Sequence, residues 1–76
     1  MNIKELKVEM VRHNDNSKDL ADALGIARQT LSRKMNSPTA DFTQNEIAII
    51  KNRYELTGDR VTEIFFADLV SEQDTY

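Results

Sequence analysis

The side chains best suited to recognition chemistry are concentrated in one stretch: Arg28, Gln29, Arg33 and Lys34 follow a single glycine, Gly25, and no acidic residue falls between positions 23 and 39. Guanidinium and primary amide groups make paired hydrogen bonds to base edges, arginine to guanine and glutamine to adenine, while lysine neutralises phosphate as a point charge. A catalytic set would have to come from His13, Asp15 and Ser17. Three groups around one turn cannot be oriented in a dry pocket by a chain of 76 residues, so no catalytic residue is expected and His13 reads as a helix-end residue near the carbonyl pole. With no cysteine and one histidine there is neither a disulfide framework nor a Cys/His metal site, and the three methionines read as packing residues. No metal, cofactor or small-molecule substrate is expected.

The net charge of −3 looks wrong for a polyanionic partner until it is divided along the chain. Residues 1–36 hold seven Lys/Arg against five Asp/Glu, and residues 37–76 hold three against eight. The chain is therefore polarised, so one face could meet phosphates while the other end repels them. Its length implies one domain with a modest core, too small for a large enzyme pocket. The apolar runs are far shorter than the roughly 20 residues that cross a bilayer, and no basic-then-apolar leader opens the chain, so a soluble cytoplasmic protein is expected.

The elements that must position the recognition residues follow from spacing and caps. Asn2 with Glu5 three residues on opens a first helix carrying Ile3, Leu6 and Met10, which ends near His13. Asn14, Asp15 and Asn16 form a turn, and Ser17 stands where an N-cap belongs for a second helix over residues 18–24 with Leu20, Ala21 and Leu24 inward. Gly25 stops that helix, Ile26 plugs the turn, and a third helix over 27–35 buries Leu31, with Thr30 and Met35 beside it, until Asn36, Ser37 and Pro38 close it. Thr43 and Glu46 make a full capping box flanked by Phe42 and Ile47, opening a fourth helix at 44–55 with Ile47, Ile50 and Tyr54 inward and Lys51 and Arg53 in water. A fifth begins after Thr57 and Gly58 with Val61, Ile64 and Phe65 on one face; residues 70–76 read as a frayed tail. The fold class is all-α, a compact five-helix domain.

The run from Leu20 to Leu31 is a helix-turn-helix pattern: Ala21 is small where two helices cross closely, Gly25 makes the sharp turn, and Ile26 and Leu31 fill the wedge. From these residues the chain resembles the phage Cro and lambda-repressor type of helix-turn-helix proteins over roughly residues 3–66. The run from Gly25 to Asn36, with Phe42, Thr43, Glu46 and Ile47, looks like the single-domain repressors of phages and prophages of Gram-positive bacteria. The resemblance implies a five-helix DNA-binding domain that binds a double-stranded operator as a homodimer, with Arg28, Gln29 and Arg33 reading bases and Ser17, Lys18 and Asn36 approaching phosphates; the local positive patch itself adds Lys34 as an expected phosphate contact. Two positions depart from the family pattern. Ala27 replaces the usual Ser or Thr cap of the third helix, and Lys34 takes a commonly apolar position, which implies an exposed last turn with Met35 in the core role. A switchable repressor of the lambda type carries a separate oligomerisation and cleavage domain, so a full-length chain of this size is expected to be built more like Cro.

Phe65 and Phe66 are adjacent, so they point about 100° apart on a helix and cannot both enter one side of a small core. Phe66, with Leu69 and Val70, is expected to form an outward apolar surface for a two-fold partner. Two other classes of function fit the same residues. One is a DNA-binding antitoxin or excisionase-type accessory protein whose acidic part binds a protein. The other is a protein-binding helical module, which would retard no DNA fragment in a gel.

Overall fold

A computed structural model describes residues 2–36 and 42–66, which form five helices: α1 (Ile3–Arg12), α2 (Ser17–Leu24), α3 (Arg28–Asn36), α4 (Gln44–Arg53) and α5 (Gly58–Phe65). Among the described residues there is no strand, and the all-α reading holds. The expected closure at Ser37 and Pro38, the tail at 70–76, and Leu69 and Val70 lie outside the described residues.

The N-termini follow side-chain caps. Asn2 accepts from the Glu5 amide, Thr57 from the Arg60 amide, and Thr43 exchanges bonds with Glu46 in the full capping box. At α2 the cap is Asn16, whose Oδ1 accepts from the Asp19 amide at 2.8 Å, and not Ser17, which becomes the first helical residue. Both residue types cap well, so adjacent candidates differ only by backbone register. α3 begins at Arg28 with Ala27 outside it and runs one residue further than expected, through Asn36; α1 ends at Arg12 with His13 as its C-cap, as expected, and α4 stops two residues early at Arg53 with Tyr54 as its C-cap.

Three helices end in the same way. Asn14, Gly25 and Glu55 have φ of 53°, 72° and 52°, and the next amide in each case reaches back five residues, Asp15 to Met10, Ile26 to Ala21 and Leu56 to Lys51, at 2.8, 3.0 and 2.9 Å. This left-handed closure satisfies carbonyls that a helix end leaves open. Glycine takes it without strain at position 25, whereas Glu55 holds it at a steric cost.

One apolar cluster joins the helices, with Leu6, Leu20, Leu31, Ile50 and Ile64 fully enclosed and Met10, Met35, Tyr54 and Phe65 nearly so. α2 packs on α3 and α4, and α5 on α1 and α4. The Phe42 ring meets Phe65 edge-on at 5.7 Å. Phe65 is buried and Phe66 exposed, as the 100° step requires.

Long-range ion pairs tie the helices together. Arg53 is not simply solvated: it holds Asp15 through two 2.8 Å bonds, and the buried Tyr54 hydroxyl donates to the same carboxylate, pinning the α1–α2 turn to the end of α4. Arg60 of α5 binds Glu9 at 2.7 Å and Glu5 at 2.8 Å on α1. At Asp15 the Arg53 hydrogen bond, aided by Tyr54, holds the carboxyl below its ordinary value despite burial. Burial pushes Glu9 and Glu46 upward, but Arg60 and Arg12 at the first, and the Thr43 amide with Lys34 at the second, overcome it and leave both below the usual range.

A lowered folded pKa means that the folded state binds fewer protons than the unfolded chain, so these contributions are complete above the ordinary carboxylate range and are lost as pH falls through the folded values. The urea midpoint should therefore be flat between about pH 6 and 8 and fall on acidification below about pH 5. A midpoint unchanged down to pH 3 would show that the three carboxylates contribute nothing.

Candidate nucleic-acid interface

The left-handed turn at Gly25 brings the first turn of α3 beside the first turn of α2. A groove of about 620 Å³, open to solvent, runs between them and is lined by Asn16, Ser17 and Lys18 on one side and Arg28, Gln29 and Ser32 on the other. All six residues are exposed. Leu31 and Met35 on the opposite side of α3 are buried, and Ile26 packs against the core as the wedge between the helices. The inward anchors thus fix which side of α3 looks out.

Arg33 is exposed but does not line this groove; it lies one turn beyond Gln29 along α3. Asn36 is exposed, yet its amide donates back to the Ser32 carbonyl at 2.9 Å. Ser17, relieved of capping by Asn16, makes no hydrogen bond within the described residues through its hydroxyl. Ala27 contributes a carbonyl to the Leu31 amide at 3.0 Å but has no side chain to cap α3.

Lys34 is a correction. Its side chain is only 13% exposed, and its ammonium sits 2.9 Å from Glu46 Oε1 and 5.9 Å from the centre of the Phe42 ring. It is committed to binding the end of α3 to the start of α4 and is not available to phosphate. The last turn of α3 is accordingly not left open: the lysine stem fills the commonly apolar position while its charge meets the capping-box glutamate, an amphipathic arrangement that residue type alone does not reveal.

The pairing pattern sets the electrostatics of the face. Arg12, Lys34, Arg53 and Arg60 each hold a carboxylate, whereas among the described residues no carboxylate pairs with Lys18, Arg28 or Arg33. The α2–α3 face therefore presents charges with which no carboxylate among the described residues pairs. Two of its groove residues were not anticipated. Ser32 lies four positions after Arg28, a spacing that places both on one helix side, and Asn16 was read only as turn.

No helix among the described residues is long and apolar enough to cross a membrane, and no cluster of three or more His, Asp or Glu side chains there could hold a metal ion. Comparison with protein-family models, with curated proteins and with solved structures finds no match to this chain.

Proposed function

We propose that the chain is a sequence-specific DNA-binding transcription regulator of the Cro-like phage or prophage kind, acting in the cytoplasm of a bacterial host. One observation supports this reading: the groove between α2 and α3 gathers Lys18, Arg28 and Gln29 on an exposed face where no carboxylate among the described residues pairs with the cations. Arg28 and Gln29, with Arg33 beyond them on the exposed side of α3, are the groups that would read base edges in a major groove. Ser17, Lys18 and Asn36 flank them as phosphate contacts, and the first-turn amides of α2 add partial positive charge.

Few cations per subunit are available, so the logarithm of DNA affinity should fall against the logarithm of salt concentration with a slope on the order of −4 to −7 for two subunits. Fluorescence anisotropy of a labelled duplex between low and moderate salt measures it. A slope near zero would remove nucleic acid from the account.

The regulator works as a homodimer in this proposal, through Phe66, which is 40% exposed at the end of α5. A two-fold pair would present two copies of α3 to major grooves about 34 Å apart and would favour a pseudo-palindromic operator. Phe66→Glu should abolish the dimer in sedimentation and weaken operator binding while helicity is kept. A folded dimer would place the interface elsewhere.

A further inference from the structure

The outward side of α1 combines exposed apolar surface with positive charge. Val8 is 40% and Val11 75% exposed, and with Lys4, Lys7 and Arg12 they line one shallow groove. Helical spacing puts these five residues on the side opposite Leu6 and Met10, which enter the core. No carboxylate among the described residues pairs with Lys4 or Lys7, and Arg12 has only Glu9 at 3.3 Å. The strip calls for an acidic, partly apolar occupant. A second copy laying the same strip against it would oppose cation to cation.

The sequence beyond α5 has that composition. Residues 67–76 contain Asp68, Glu72 and Asp74, no Lys or Arg, and the apolar pair Leu69 and Val70. Their point of departure is fixed: the Asn2 amide donates to the Ile64 carbonyl at 2.6 Å, so the end of α5 lies against the start of α1, one turn from Lys4. From residue 4 to residue 12 the strip is about 12 Å long, and ten residues of extended chain reach more than about 30 Å. The segment is therefore close enough and long enough.

We propose that residues 67–76 dock on the α1 strip of their own chain, with Leu69 and Val70 against Val8 and Val11 and the acids beside Lys4 and Lys7. Docking would neutralise the second cationic surface of the molecule, leaving the α2–α3 face as the one that attracts a polyanion. It assigns Leu69 and Val70 to α1, so that any two-fold pairing rests on Phe66. The inference does not depend on DNA binding.

Methyl NMR of the full chain tests it. In low salt, Val8 and Val11 methyls should show nuclear Overhauser contacts to Leu69 and Val70 methyls. These contacts should disappear in Lys4→Glu/Lys7→Glu while the core methyl signals stay in place. In a sample mixing two differently labelled populations, no contact between chains should be seen. Absence of the contacts in the natural protein, their survival in the double variant, or contacts found only between differently labelled chains would each overturn the proposal, the last by making a second copy the occupant.

Discussion

Arg60→Ala is expected to cost about 3 kcal/mol of folding stability, a large share of the roughly 4 to 11 kcal/mol a domain of this length possesses. The reason lies in the partner left behind. Glu9 is 4% exposed, and Arg60 supplies its shortest ion pair, 2.7 Å from Nε, while its Nη1 also reaches Glu5 at 2.8 Å and Glu63 at 3.1 Å. Arg12 remains near Glu9, but at 3.3 Å and with a side chain 67% exposed, too solvated to replace what is lost. The Glu9 carboxylate would then keep only the exposed Arg12 contact, with most of its desolvation unopposed.

Replacing both partners, as in Glu9→Leu/Arg60→Met, should recover most of the loss, because the buried charge is removed with its counter-ion. Urea denaturation of the two single variants and the double variant separates the pair from its surroundings. An Arg60→Ala loss below about 0.5 kcal/mol would show that the cluster is effectively solvated.

The second large effect concerns binding and leaves the fold untouched. Arg28→Ala and Gln29→Ala should each weaken binding to the preferred duplex by about 1–3 kcal/mol, roughly tenfold to a hundredfold, with little change on random sequence. Both side chains are exposed and neither belongs to the apolar cluster, so the unfolding midpoint should stay where it is. Competition binding against selected and random duplexes gives the comparison. Equal losses on both would make these residues phosphate contacts and would put base reading on another face.

Much of the fold could be read from local signals. The Thr43–Glu46 capping box, the Gly25 stop and the buried sets Leu20–Ala21 and Val61–Ile64–Phe65 all depend on spacings within one or two turns, and the structure realises them. The same locality explains the omissions. Arg53–Asp15 and Arg60–Glu9 join residues 38 and 51 positions apart, and no periodicity says which helix faces which. Lys34 resembled a free cation because its partner, Glu46, already had a complete local role in the capping box. Glu55 gave no warning of a left-handed conformation, since the residues that favour it, glycine and asparagine, are absent there. At the candidate interface, the outward residues of α3 followed from its inward ones and Ser17 and Lys18 from the family resemblance, but that Asn16 joins them as one wall of the groove depended on how α2 and α3 pack.

The central claim, that the α2–α3 face meets DNA, is tested most directly by following the backbone amides of the full chain during titration with duplex DNA. The account predicts shift changes concentrated at residues 16–18 and 28–33, with α1 and the Arg60 cluster unchanged. Changes centred on Lys4 to Arg12, or no changes at any duplex concentration in low salt, would contradict it.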